Sequence, residues 1–376
     1  MSSLAIIKDD RFMEHNPGDG HPESPDRLRV IHELIDKEFS ALPIIQPRLA
    51  AENELALIHD PFYIRTVAST EGKTHSQLDP DTGLSARSYE IARLAVGGLL
   101  NAVDALLVIP PHLNPLPAGE RTSGHPPLPS GERAGVRGDS EPLTPHAVFA
   151  FVRPPGHHAE PGRGMGFCLF NNVAIAAEYA KKKYNLKRIL IVDWDLHHGN
   201  GTQRAFYDDP SVLFFSSHQY PYYPGSGGFD QIGNNKGEGF TVNAPFPSGF
   251  GDQEYRAIYE TILTPIALEY KPELVLVSAG FDPYVKDPLG GMKVSAEGFG
   301  ALAGIVKDIA EKTCAGKVLI TLEGGYNPEG LRNGVRAVLK TFLGQGTQLS
   351  APAPETAAAV INKIREVQKK YWRCLD

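Results

Sequence analysis

A chain of 376 residues, 41% hydrophobic and 22% charged, has ordinary globular composition and enough apolar mass for a large core, which excludes a fibrous or disordered protein. Its net charge of −7, from 37 basic and 44 acidic residues with no dense basic run, argues against direct nucleic-acid binding. Cys168, Cys314 and Cys374 are too few and too widely spaced for a disulfide framework or a CxxC site.

The first segment, "MSSLAIIKDD", lacks the apolar core of a signal peptide, and no later stretch approaches a membrane span. A soluble, cytoplasmic protein is expected. Residues 4–7 form the first short apolar run. Others follow at 147–152, 188–193, 212–216, 274–279 and 317–322, and each is predicted to be a buried strand. Between them, helical spacing marks 26–39, 86–108, 172–183, 253–269 and 294–312. Such alternation predicts a mostly parallel sheet with helices on both faces, and length alone permits one large α/β domain or two smaller ones. Ligands of such sheets gather beyond the carboxyl ends of the strands.

One segment breaks the pattern. Residues 110–145 are rich in Pro, Gly, Ser and charge, and "PLPAGER" at 115–121 is echoed by "PLPSGER" at 127–133. That composition buries too little surface to offset its ordering entropy, so a mobile surface insertion is expected. Residues 345–376 read as a linker leading into a last helix over 356–371.

Chemistry concentrates where the predicted strands stop. After the run at 188–193 comes "DWDLHHGNG", in which Asp193, Asp195 and His197 alternate. In extended chain, residues two apart share a face, with Trp194, Leu196 and His198 opposite. Another strand end, "LVLVSAGFDP", supplies Asp282. Two carboxylates and an imidazole make a mononuclear metal site; the donor types permit zinc, iron, manganese or cobalt. The strand at 147–152 runs into "RPPGHHAEPGRGMGFCLFNN", where a stiff Pro-Pro-Gly turn presents His157 and His158 as candidate general base and acid. Gly162, Gly164 and Gly166 then permit close backbone approach, and Phe167 is placed to wall an apolar channel. The last strand ends in "LEGGYN", where Gly324 and Gly325 allow a sharp turn that presents the Tyr326 phenol, a candidate oxyanion donor. A metal, paired histidines and an oxyanion donor are the parts for hydrolysing an amide or ester carbonyl. No GxSxG elbow and no GxGxxG after the first strand are present, which disfavours a serine hydrolase and a dinucleotide enzyme.

In order, "HPESPDR", "RPPGHHA", "GFCLFNN", "DWDLHHGNGTQ", "HQYPYYPGSG", "SAGFDP", "DPLGG" and "LEGGYN" resemble the motifs of histone deacetylases, most closely class II and the bacterial deacetylase-like amidohydrolases. The resemblance implies an arginase-like open α/β fold with one eight-stranded parallel sheet in a single catalytic domain over 1–344. It implies Asp195, His197 and Asp282 as zinc ligands, with Fe2+ an alternative ion in the cell. His157 and His158 then resemble the tandem catalytic histidines, Asp193 the carboxylate behind the first, and Tyr326 the tyrosine that polarises the acyl carbonyl. Asn200 stands behind His158, where class I members carry aspartate. A structural K+ would be held by Asp193, Asp195, His197, Ser216 and Ser217. Phe167 and Tyr223 resemble the channel walls, Leu289 its rim and Asp81 the rim aspartate that grips substrate backbone; Gly166 and Gly325 complete the substrate surface. Implied substrates are an acylated lysine in peptide or protein, or an acetylpolyamine or other small acyl-amine, with oligomers permitted. A two-manganese ureohydrolase needs a second aspartate two residues beyond Asp282, where Tyr284 stands. A non-catalytic acyl-lysine binder would be expected to have lost one of these groups, and all are present.

Overall fold

The computed structural model describes residues 4–107, 144–346 and 354–376. The expected insertion, apart from Thr144 and Pro145, and most of the expected linker lie outside the described residues. The strands in chain order are β1 (Leu4–Ile7), β2 (Ser76–Asp79), β3 (Thr82–Leu84), β4 (Ala147–Ala150), β5 (Ile189–Asp193), β6 (Val212–Gln219), β7 (Thr241–Phe246), β8 (Leu274–Ala279) and β9 (Val318–Leu322). The helices are α1 (Asp26–Glu38), α2 (Glu52–Leu55), α3 (Pro61–Ala68), α4 (Ser88–Leu107), α5 (Asn172–Tyr184) and α6 (Asn200–Phe206). They continue as α7 (Asp252–Ile258), α8 (Thr264–Tyr270), α9 (Ala296–Cys314), α10 (Pro328–Phe342) and α11 (Glu355–Gln368).

Seven strands build one sheet in the order β1-β4-β9-β8-β5-β6-β7, and every pairing is parallel. The sheet is thus the open parallel one expected, with seven strands among the described residues where the resemblance implied eight. β2 and β3 form a separate antiparallel pair. The chain lays β1 beside β4, crosses to build β5, β6 and β7 outward, then returns with β8 and β9 to fill the centre. Five neighbours therefore carry the chemistry-bearing loops: β4, β9, β8, β5 and β6. Adjacent strands lie about 4.8 Å apart, so loops far apart in sequence converge on one edge.

The strands are apolar on both faces because both are covered, and β5, β8 and β9 are buried along their whole length. Thr241–Phe246 was not expected as a strand, since Asn243 and Pro245 interrupt its apolar pattern. β7 is an edge strand, where a missing N–H breaks no interior ladder. The helix expected over 253–269 is broken into α7, one π-turn at Tyr259–Leu263 and α8, with Pro265 at the start of the last piece. No helix among the described residues is long and apolar enough to cross a membrane.

The terminal helix, expected over 356–371, packs onto β7. Val360, Ile361, Ile364 and Trp372 join the main core, the Gln368 amide donates to the Thr241 carbonyl at 2.9 Å, and the Trp372 indole donates to the Gly239 carbonyl at 3.0 Å. Trp372 is buried against Phe240 and Tyr270. Trp372→Ala is expected to destabilise the protein by about 3–5 kcal/mol through cavity formation. The urea midpoint at unchanged slope measures it; a shift within error would show that the segment after α11 is not part of the cooperative core.

Candidate active site

β5 stops at Asp193, yet the alternation expected beyond it survives. The Asp195 N–H donates to Asp193 Oδ1 at 3.1 Å, and the His197 N–H donates to Asp195 Oδ1 at 2.9 Å. These local bonds replace the strand ladder and keep the three side chains together. On the opposite side, Trp194 and Leu196 enter the core, and His198 bonds to Ser226 and Gln203.

Across from this segment, β8 delivers Asp282. One donor atom each from Asp195, His197 and Asp282 lies within 4.8 Å of the others. His197 Nδ1 sits 3.2 Å from both Asp195 Oδ1 and Asp282 Oδ2. Burial and the neighbouring Asp195 charge push Asp282 up to about 7, although His197 draws it down. Burial lowers His197, but the two carboxylates outweigh it and raise the imidazole to about 9. Two carboxylates this close and this buried favour a cation between them. The donor set and its close spacing therefore fit a divalent ion. Glycine makes the approach possible: a Cβ on Gly280 would lie 2.1 Å from Asp195 Oδ2, and one on Gly324 2.2 Å from Asp282 Oδ2.

The turn after β4 brings both histidines to the same place. His157 Nδ1 bonds Asp193 Oδ2 at 3.0 Å, and its Nε2 lies 3.7 Å from Asp195 Oδ1. His158 Nδ1 bonds Asn200 Oδ1 at 2.7 Å. Their environments separate them. Burial lowers His157, but Asp195 and Asp193 outweigh it and raise the ring to about 10. Burial and the charges of His157 and His197 hold His158 well below the usual histidine range.

A cavity of about 90 Å³ opens over this cluster, and every expected channel residue but one lines it. His157, His158 and His197 form its floor with Gly324; Phe167, Tyr223 and Tyr326 form walls; Leu289 and Asp81 complete the lining. The exception is Gly325, which lies behind the wall with φ +115 and whose carbonyl accepts from Arg27 Nε at 2.7 Å. Phe167 holds φ 68, the left-handed region, and packs edge-on to His21 and Tyr326. Burial raises the Tyr326 phenol well above its ordinary range, and Asp282 and Asp195 add to this against the pull of Arg27. The phenol therefore keeps its proton at neutral pH. At the mouth, the Tyr222 hydroxyl donates to the Leu289 carbonyl at 3.1 Å, tying two loops together. Of the residues implied for potassium, Ser216 pairs with Asp193 across β5 and β6, and Ser217 Oγ donates to the Asp193 carbonyl at 3.4 Å.

Several structural partners went unread in the sequence. Glu323 Oε2 accepts from the Gly156 and His157 N–H groups at 2.7 and 3.2 Å and so holds the histidine turn. With His157 and Cys168 it forms a second close group of possible donors, but its oxygens are already engaged by these N–H groups and by Ser278. Arg27 lies over the Tyr326 ring at 4.9 Å and bonds Glu23, which is gripped at both oxygens by the fully buried Arg153. Asp287 Oδ2 accepts from the Tyr326 N–H at 2.7 Å and fixes the tyrosine turn. Burying charges in pairs was the available signal: "HPESPDR" and "LEGGYN" each place charge inside otherwise tight turns.

A parallel α/β sheet that sets two carboxylates and an imidazole against paired histidines in a small cavity has the donor set and acid–base groups of a hydrolase-type site. The model of the histone deacetylase domain matches residues 21–342. A probable deacetylase of Archaeoglobus fulgidus is 33% identical, over 98% of this chain and 98% of its own length. Mouse polyamine deacetylase HDAC10 is 39% identical over 87% of this chain and 46% of its own. The crystal structure of the HDA15 HD domain superposes with TM-score 0.85 at 33% identity, covering 100% of this chain and 96% of that one. The chain belongs to the histone deacetylase family.

Gly166 has φ +57, and a Cβ there would lie 2.4 Å from His158 Cδ2. Gly166→Ala is expected to cost about 1–2 kcal/mol from the left-handed backbone alone and to displace the His158 ring. Unfolding in urea and a crystal structure of the variant check both; an undisturbed ring would mean the turn has room to spare.

Proposed function

We propose that the chain is a zinc-dependent deacylase that removes acetyl or a related acyl group from lysine side chains. The observation that carries this is the buried Asp195, His197 and Asp282 triad beneath a narrow cavity, facing two histidines whose proton affinities are driven apart. Those three side chains would hold the ion, with Fe2+ as the alternative occupant. When bound, such an ion supplies Lewis-acid polarisation and lowers the pKa of water toward about 7.

The chain's own residues do the rest. Phe167, Tyr223 and Leu289 give an apolar passage that suits a neutral methylene stem and disfavours a charged lysine. Asp81 at the lining is placed to accept N–H groups of substrate backbone. His158, neutral with Nδ1 on Asn200, takes the proton of the attacking water at Nε2. His157, kept cationic by Asp193, stabilises the negative charge that develops. As the carbonyl carbon becomes tetrahedral, the Tyr326 phenol donates to the oxygen that gains charge. His158 then returns its proton to the departing amine. Asp193, Asp195, His197, Ser216 and Ser217 would hold a potassium ion behind this cluster. A cytoplasmic setting stays part of the proposal, in keeping with three free cysteines.

A second substrate class, acetylpolyamines, is supported by the likeness to mouse polyamine deacetylase HDAC10 and by the Asp79 and Asp81 carboxyls near the cavity. Turnover of a fluorogenic acetyl-lysine peptide, compared with acetylpolyamines, decides between them. Chelation is expected to abolish activity and zinc to restore it; activity untouched by full metal removal would overturn the reading. Tyr326→Phe is expected to retain metal while kcat falls about 10²–10³-fold, as for loss of one oxyanion donor. Full turnover in that variant would remove the phenol from the mechanism.

A further inference from the structure

We propose that Glu160 is a positioning residue that sets the tautomer of His158 through Asn200. The Asn200 amide lies between the two: its Oδ1 is 2.7 Å from His158 Nδ1, and its Nδ2 donates to Glu160 Oε1 at 2.8 Å. The other acceptors near Nδ2 are weaker, the His158 carbonyl at 3.4 Å and Met165 Sδ at 3.5 Å. A carboxylate only accepts, so the amide must turn its NH2 toward Glu160. The planar amide then turns its oxygen toward His158. An oxygen facing Nδ1 requires the imidazole proton there, which leaves the Nε2 lone pair on the cavity side. With the amide flipped, its oxygen would meet the carboxylate and its NH2 would meet Nδ1, forcing the proton onto Nε2.

The backbone of Glu160 is held to suit this. Glu160 and Arg163 exchange N–H···O bonds at 2.8 and 3.2 Å. The buried His59 places Nδ1 3.1 Å from the Glu160 carbonyl, and its Nε2 accepts from the Asn171 N–H at 2.8 Å, so Nδ1 carries the proton and donates. This arrangement also accounts for asparagine at position 200. The middle group must accept on one side and donate on the other, which an aspartate cannot do.

That His158 moves protons rests on the function proposed above; the tautomer does not. The test uses zinc-loaded protein labelled with 15N-histidine, with the His158 signals identified by their loss in His158→Asn. Neutral His158 is expected to carry its proton on Nδ1. Glu160→Ala is expected to move part of the population to Nε2–H and to lower kcat/KM about tenfold with KM unchanged, in the range of outer-shell losses. Glu160→Gln should keep the wild-type tautomer, because its carbonyl oxygen still accepts. Asn200→Asp sets two carboxylates face to face, and adding Glu160→Gln supplies a donor and should recover activity over the single variant. The proposal is overturned if Glu160→Ala leaves the Nδ1–H signature intact, or if the double variant is no better than Asn200→Asp. Should no acyl-amine be turned over by any form, the ring-nitrogen spectra still decide the role of Glu160.

Discussion

The molecule is organised around the mutual repulsion of Asp195 and Asp282, two carboxylates buried at the ends of adjacent strands. Neither has solvent to spread its charge, and the Asp195 charge raises the cost of ionising Asp282, while His157 and His197 hold Asp195 ionised. The fold holds them together regardless, because β5 and β8 are locked in register from Ile189 against Leu274 to Asp193 against Ser278. Every neighbour can be understood as a response. His197 is drawn between them, His157 is held charged beside Asp195, and glycines at 280 and 324 remove the side chains that would wedge the pair apart. Such a site stores a standing demand for positive charge, which is what a metal-binding centre requires of its protein.

A second charged assembly supports the other wall. Arg153 is fully buried and bonds both oxygens of Glu23, whose Oε1 also accepts from Arg27. Arg27 in turn donates to the carbonyls of Glu323 and Gly325, the residues that lead into Tyr326. Two guanidiniums and one carboxylate, with His15 3.4 Å from Glu23, thus fix the turn that presents the phenol. The value of such a network lies in geometry more than in stability, because the desolvation of each charge offsets much of its attraction.

The sequence made the parallel sheet legible because doubly buried strands read as continuous apolar runs, and six of the seven were visible that way. β7 escaped because Asn243 and Pro245 interrupt its apolar run, which an edge strand tolerates since its outer N–H groups serve no further ladder. Helix α10 was also passed over, since its glycines at 330 and 334 weaken the helical pattern; both lie where a Cβ would strike Tyr284 or Phe281. The ligand and histidine residues were legible because charge at a strand end is chemically conspicuous. Glu160, Glu323, Arg27 and Asp287 were not, since their importance lies in which backbone or amide group they face. Only the folded arrangement supplies that information: Glu323 and Gly156 are 167 residues apart and 2.7 Å in space.

Both margins of the sheet are closed. At one, β7 lies under the terminal helix and Trp372. At the other, residues 43–45 run alongside β1, where the Ile6 N–H donates to the Pro43 carbonyl and the Ile45 N–H donates to the Ile6 carbonyl. A bare margin is a template on which a foreign chain can extend the hydrogen-bond ladder. Among the described residues, the covers on β1 and β7 therefore oppose extension of the central sheet from one molecule to the next.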